Sequence, residues 1–116
     1  MTTWYLQSTG HEPLRITAQL ANGFFDHLIG LLNSKSPPPA GHGLLLTTRG
    51  ALHTFGMRFS IDIVYFDQHL QVLDCRRQIP PWRLITTPRK TRFCLEMMAN
   101  ASQHIQPGLQ FTREAS

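Results

Sequence analysis

Short apolar runs separated by turn-forming residues recur along most of the chain and predict β-strands. The run at residues 61–67 is rich in β-branched and aromatic residues. A tight connection, Asp67-Gln68-His69, separates it from the run at residues 70–75, which predicts a hairpin. Residues 43–47 are continuously apolar, as in a fully buried strand. The remaining predicted strands are residues 4–8, 14–20, 92–97 and 109–113.

Two segments are predicted to be helical. Residues 22–32 carry apolar side chains at helical spacing, and Asn22 is placed to cap the start of that helix. A shorter helix of a turn or two is predicted within residues 98–106, before Pro107-Gly108. These elements predict a mainly β fold of the α+β class: a small antiparallel β-sandwich or partly open barrel with one early helix and a short late helix.

Composition narrows the class of protein without identifying an activity. A chain of 116 residues, 41% of them hydrophobic, predicts a single domain over residues 1–116 and excludes a disordered, collagen-like or disulfide-rich chain. The formal net charge of +4 is compatible with anionic partners, but it is smaller than that of a dedicated nucleic-acid-binding domain.

The N-terminal residues and the two cysteines indicate the compartment. The chain shows neither a secretory signal nor an apolar run near the ~20 residues of a membrane span, which predicts a cytoplasmic protein without membrane contact. Cys75 and Cys94 lie in apolar runs and lack metal-ligand spacing, so we expect buried, reduced thiols. No metal and no cofactor are predicted.

One segment between two predicted strands carries candidate site residues. The chain contains no GxSxG, GxxxxGK[ST], HExxH or GxGxxG motif, but residues 49–62 combine polar and charged side chains beside a buried strand. Asp62 interrupts that strand, so its carboxylate accepts backbone N–H bonds, pairs with Arg58 or contacts a ligand. Glu96 raises the same question. The ligand-binding candidates are His53, Thr54, Met57, Arg58, Asp62 and Glu96.

A second candidate surface is electrostatic. Residues 76–92 contain no acid and include Trp82. The anion-binding candidates in this stretch are Arg76, Arg77, Arg83, Arg89, Lys90 and Arg92. Basic residues beside an aromatic ring suit phosphates and stacked bases. A solvated charged loop and a protein-docking surface are the alternatives.

Several segments, in this order, resemble a known family: GHGLLL, HTFGMRFSIDIVYFD, VLDCRRQIPPWR and FCLEMMANA. They resemble DUF192, a domain-of-unknown-function family of small prokaryotic proteins, over about residues 14–112. The chain departs from the family pattern at HTFGMRF, where many members have FWMKN. It also departs at Asn100 and Leu109, which stand where glycine and aspartate are usual. The resemblance implies a small β-rich, sandwich-like fold and brings no established reaction.

Three functions therefore compete. The first is a noncatalytic ligand-binding or accessory protein with a cleft near HTFGMRFSID, taking a small ligand or a protein partner. The second is a small hydrolase-like enzyme in which His53 and Asp62 perform acid–base chemistry. The third is an anionic-partner surface on residues 76–92, for which we expect only weak nucleic-acid binding.

Overall fold

Strands make up the regular structure of residues 2–21, 40–47, 50–54 and 57–114, the part of the chain that the computed structural model describes. The nine strands in these residues are β1 (Thr2–Ser8), β2 (Arg15–Ala21), β3 (His42–Thr47), β4 (Ala51–His53), β5 (Ile61–Phe66), β6 (Val72–Ile79), β7 (Leu84–Thr86), β8 (Phe93–Met98) and β9 (Phe111–Glu114). Seven form one sheet in the order β6-β5-β8-β3-β2-β1-β9, and β4 pairs with β7 in a second, two-stranded sheet.

The seven-stranded sheet curls until its two edge strands meet at one end. The Val72 N–H donates to the Leu109 carbonyl (2.9 Å), and the Gly108 N–H donates to the Val72 carbonyl (2.8 Å). The Phe111 N–H donates to the Leu70 carbonyl (3.0 Å). These bonds join the starts of β6 and β9, which lie at opposite ends of the strand order. The sheet therefore has a concave and a convex side.

Each side of the sheet carries its own hydrophobic core. The inner core on the concave side draws on every strand of the large sheet and includes Leu45, Phe66 and Phe111. The outer core on the convex side is covered by Leu52 of β4 and Ile85 of β7. Because β5 lies between the two cores, all six of its residues are buried. This double burial explains why its sequence is nearly continuously apolar.

The centre of the sheet requires a glycine. β3 pairs in parallel with β2 and antiparallel with β8. A Cβ atom at Gly43 would lie 2.6 Å from the Leu95 Cδ1 atom and 3.0 Å from the Glu96 carbonyl oxygen. Any larger side chain would therefore push β3 and β8 apart.

The seven strands predicted from the sequence are confirmed, as is the β5–β6 hairpin. Two strands were not predicted, β4 and β7, each only three residues long. β6 also continues to Ile79, beyond the predicted end at residue 75.

The predicted α+β class is wrong for the described residues, which are all-β. Within the predicted helix at residues 98–106, Met98 belongs to β8 and residues 99–104 form turns, because the sheet binds their backbone: Asp62 accepts the Ser102 N–H, and Arg77 donates to the Ser102 and Ile105 carbonyls. The antiparallel sandwich is replaced by a curled, mixed sheet. The predicted helix at residues 22–32 lies outside the described residues. No helix in the described part of the chain is long and apolar enough to cross a membrane.

Candidate functional site

The carboxylate of Asp62 is fully buried on the concave side of the sheet, where it accepts three hydrogen bonds. Its Oδ1 atom accepts a hydrogen bond from the Gln78 N–H (2.8 Å). Its Oδ2 atom accepts from the Ser102 N–H (3.1 Å) and from the Ser102 hydroxyl (2.6 Å). Arg58 is exposed, and within the described residues it supplies none of these bonds. Of the roles predicted for Asp62, acceptance of backbone N–H bonds is confirmed.

A β-bulge places these donors. The β5–β6 register shifts between Ile61 and Ile63, so that Arg77 and Gln78 together face Asp62. Gln78 adopts φ 55°, which turns its N–H toward the carboxylate. Arg77 uses one terminal nitrogen to donate to the Ser102 carbonyl (2.9 Å) and the Ile105 carbonyl (2.6 Å). Arg77 therefore fastens the 99–106 turns to the sheet.

The two buried carboxylates, Asp62 and Glu96, lie on opposite faces of the large sheet. Asp62 pairs with Met97, an inner-core residue, whereas Glu96 pairs with Ile63, an outer-core residue. Because paired residues of antiparallel strands share a face, the sheet itself separates the two carboxylates. A single cleft therefore does not include both.

The candidates on β4 and after it lie against the outer core. Thr54 is buried, and its hydroxyl donates to the Pro80 carbonyl (2.8 Å) and accepts from the Arg83 N–H (2.8 Å). Met57 packs within the outer core. His53 is half-buried and pairs with Leu84 on β7, so the large sheet stands between its strand and the Asp62 carboxylate.

Burial raises the pKa of three groups: Tyr65 and Cys94 in the outer core, and Cys75 beside the inner core. Burial, reinforced by the charges of Cys94 and other neighbours, raises the pKa of the Tyr65 hydroxyl to about 12. Burial and the nearby Glu96 carboxylate raise the pKa of the Cys94 thiol to about 12. Burial raises the pKa of the Cys75 thiol to about 11. Both thiols are free, and thiols with such pKa values are poor nucleophiles at neutral pH.

The basic stretch is divided between two clefts. We call the first the arginine cleft; it has a volume of about 360 Å³ and is lined by residues 75–80 and 83–85, with Arg76, Arg77 and Arg83 among them. We call the second the loop cleft; it has a volume of about 770 Å³ and is lined by Gly50 and residues 67–69 and 87–92, with Arg89, Lys90 and Arg92 among them.

The arginine cleft combines positive charge with exposed apolar surface. Among the described residues, its lining includes no acidic one. The guanidinium groups of Arg76 and Arg83 are exposed and form no hydrogen bond or ion pair within the described residues. Beside the cleft, Trp82 is 65% exposed and Leu84 is 68% exposed, which is unusual for large apolar side chains.

The loop cleft is built from two surface turns. The Asp67 carboxylate accepts hydrogen bonds from the His69 N–H (2.8 Å) and the Gln71 N–H (3.0 Å), so one of its oxygens is committed to the β5–β6 turn. The Pro88 carbonyl accepts from the N–H and the hydroxyl of Thr91. The three cations that line the loop cleft, Arg89, Lys90 and Arg92, lie outside the strands. In the described residues, no group of three or more His, Cys, Asp or Glu side chains forms a metal site.

The sequence did not reveal that a strand edge lines the arginine cleft. Residues 76–78 were interpreted as loop because arginines and glutamine follow the apolar run. The signal available was Leu84-Ile85-Thr86 directly after Pro80-Pro81, a short β-prone run that indicates a strand returning beside β6.

Fold and clefts together define a small, curled β-sheet protein with a basic cleft along one sheet edge. The chain belongs to the uncharacterised family DUF192, described as "Uncharacterized ACR", whose profile matches residues 5–112. It is 28% identical over 91 residues to the UPF0127 protein PH1112 of Pyrococcus horikoshii, covering 77% of this chain and 78% of that protein.

Two crystal structures share the fold. One is a candidate transcription regulator from Sinorhizobium meliloti, with a TM-score of 0.84 and 13% identity over 97% of this chain and 94% of that one. The other is a protein of unknown function from Novosphingobium aromaticivorans, with a TM-score of 0.80 and 14% identity over 93% and 83% of the two chains. At these identities the similarity concerns the fold alone.

Proposed function

We propose that this protein is a noncatalytic binding protein that takes an anionic partner in the arginine cleft. One observation carries the proposal: Arg76 and Arg83 line one concave surface, and none of its lining residues within the described part of the chain is acidic. Two exposed cations on one concave surface favour the binding of an anion there. Arginine is also well suited to carboxylates and phosphates, because its planar fork of donors matches their oxygens.

The proposal keeps the ligand-binding class expected from the sequence and moves the site. The hydroxyl of Thr54 and the carboxylate of Asp62 are already committed to hydrogen bonds within the protein. Asp62 and Glu96 also lie on opposite faces of the sheet. These features weigh against a cleft centred on residues 53–62 and against an acid–base pair of His53 and Asp62.

A protein partner is favoured over nucleic acid. Trp82 and Leu84 place exposed apolar area beside the cations, as is common where proteins dock. The other three cations of the basic stretch lie in the separate loop cleft, which limits how many phosphates one surface could neutralise. We therefore expect nucleic-acid binding to be weak and non-specific, with dissociation constants of about 10⁻⁴–10⁻⁶ M near physiological salt. The description of the Sinorhizobium meliloti neighbour makes nucleic acid the alternative to test.

Fluorescence anisotropy with a labelled peptide of alternating Glu and Val residues tests the proposal. We expect the double variant Arg76→Glu/Arg83→Glu to bind this peptide at least tenfold more weakly than the wild-type protein. The matched control is Arg15→Glu, because Arg15 is an exposed arginine of β2 that lines neither cleft. Circular dichroism establishes that each variant is folded.

Labelled single- and double-stranded oligonucleotides at two salt concentrations complete the experiment. Equal peptide affinity in the wild-type protein and the double variant would contradict the proposal. Submicromolar oligonucleotide binding that persists at the higher salt concentration would assign the cleft to nucleic acid instead.

A further inference from the structure

The arginine cleft follows a strand backbone rather than one face of a strand. We infer, building on the proposed function, that the partner is an acidic peptide segment that adds to the exposed edge of β6 as an extended strand. Six consecutive residues, 75–80, line the cleft. Since successive side chains of a strand point to opposite faces, consecutive lining residues indicate that the cleft runs along the backbone edge. Five of them, residues 75–79, belong to β6 and span about 17 Å, enough for a short peptide.

β6 has a free edge at this place. It is the outermost strand of the large sheet and pairs with β5 on one side. Its other side is bonded at Val72, to residues 108 and 109. Beyond Val72, no other backbone group of the described residues bonds this outer side, although the Cys75 N–H donates to the Asp74 carboxylate (2.8 Å) and the Gln78 N–H donates to the Asp62 carboxylate (2.8 Å). The N–H and C=O groups of an edge strand are a template for pairing with another extended chain.

β7 adds a second row of backbone groups to the cleft. The Thr54 N–H donates to the Arg83 carbonyl (2.9 Å), and the Thr87 N–H donates to the Gly50 carbonyl (2.8 Å). In an antiparallel pair the hydrogen-bonded residues alternate, so residues 83, 85 and 87 bond toward β4. The backbone groups of Leu84 and Thr86 therefore point away from β4. Within the described residues β6 and β7 are not paired with each other, so the peptide would displace no existing strand pairing between them.

The side chains beside this edge select the occupant. Arg76 and Arg83 call for acidic groups, and the exposed Leu84 and Trp82 offer contact to apolar ones. An extended peptide that alternates acidic and apolar residues has its acidic side chains on one face and its apolar side chains on the other. A second copy of this chain is a poor occupant, because two β6 edges would bring Arg76 and Arg77 against their own equivalents.

Backbone methylation separates strand addition from simple charge attraction. Two versions of the Glu–Val peptide are N-methylated at every second amide, one in each of the two possible sets. Methylation removes amide donors and leaves the charge unchanged. Because pairing with β6 uses one set of alternate amides, we expect one methylated peptide to bind at least tenfold more weakly than the parent peptide. We also expect the parent peptide to slow amide hydrogen exchange in residues 74–76.

The outcomes distinguish this inference from the proposed function. If all three peptides bind equally and all lose binding to Arg76→Glu/Arg83→Glu, the cleft binds anions but strand addition is overturned. If none of the peptides binds, both are overturned. If sedimentation shows a dimer with the same exchange protection in the absence of peptide, a second copy is the occupant and the inference fails. A Lys–Val peptide serves as the charge control and should not bind.

Discussion

Asp62 connects three parts of the chain through one carboxylate. It lies in β5 and binds Gln78 in the β6 bulge and Ser102 in the turns that follow β8. A buried carboxylate is stabilised only when its oxygens are hydrogen-bonded. The three donors explain how a strand with all six residues buried accommodates an acid.

Replacing Asp62 by alanine should therefore destabilise the protein by about 3 kcal/mol, because two backbone N–H groups and one hydroxyl lose their acceptor. Urea unfolding measures this loss of the free energy of unfolding. Asp74→Ala is the matched control: Asp74 is exposed and accepts only the neighbouring Cys75 N–H, so we expect a loss below about 1 kcal/mol. Equal stability of Asp62→Ala and the wild-type protein would contradict the structural role.

The sequence indicated that Asp62 needs a partner but not which one. An acid in an otherwise apolar strand requires hydrogen bonds, and this reasoning needs only the local sequence. The donors are 16 and 40 residues away in the chain, so their identity depends on the β5–β6 bulge and on the path of residues 99–106. The same limit applies to Glu96, whose side of the sheet follows from the register with Ile63.

At the scale of elements, long apolar runs were predictable and short strands were not. The continuous burial of β5 and the apolar run of β3 give strong local signals. β4 and β7 are three residues long, and their stability depends on pairing between distant segments and on the burial of Leu52 and Ile85 against the outer core. The helix predicted at residues 98–106 failed for a related reason, since Asp62 and Arg77 bind backbone groups that helical hydrogen bonds would need.

Thr54 holds the β6–β7 connection against β4. Its hydroxyl bonds the Pro80 carbonyl and the Arg83 N–H, and its carbonyl accepts the Trp82 N–H (3.0 Å). Thr54→Val keeps the shape of the side chain and removes both hydroxyl bonds. We expect a loss of about 1–3 kcal/mol in urea unfolding and weaker binding of the Glu–Val peptide, because Arg83 loses one of the two hydrogen bonds by which Thr54 holds its backbone.

Thr47→Val is the control for this substitution. Thr47 is exposed on β3 and lines neither cleft, so its variant should match the wild-type protein in both measurements. If Thr54→Val binds the peptide as tightly as the wild-type protein does, this connection does not position the cleft.

At the scale of the whole molecule, the curled sheet separates the structural groups from the binding surface. On the concave side, hydrogen bonds with Asp62 and Arg77 hold the 99–106 turns against the sheet. On the convex side, the outer core lies beneath β4 and β7. The arginine cleft lies at the edge of the sheet, where no further strand of the described residues pairs with β6. The edge can therefore exchange partners without disturbing either core.

Burial of three ionisable groups makes the stability of the whole molecule depend on alkaline pH. The pKa values of the Cys75 and Cys94 thiols rise from an ordinary value near 9 to about 11 and about 12, and that of Tyr65 rises from 10 to about 12. The folded state therefore keeps protons that the unfolded chain releases above about pH 9. By linkage, the stabilisation is complete below pH 9 and declines as the pH rises toward 11 and 12.

Urea unfolding midpoints at several values between pH 7 and pH 11 measure this dependence. We expect the midpoint to change little from these three groups up to about pH 8.5 and to fall steadily above pH 9. Tyr65→Phe isolates one contribution: its profile should fall less steeply above pH 10. Because the buried Tyr65 hydroxyl has no hydrogen-bond partner within the described residues, this variant should match or exceed the wild-type stability at pH 7. A flat profile up to pH 11 would show that the three groups are not buried as described, and a loss above about 1 kcal/mol in Tyr65→Phe at pH 7 would show that the hydroxyl is hydrogen-bonded.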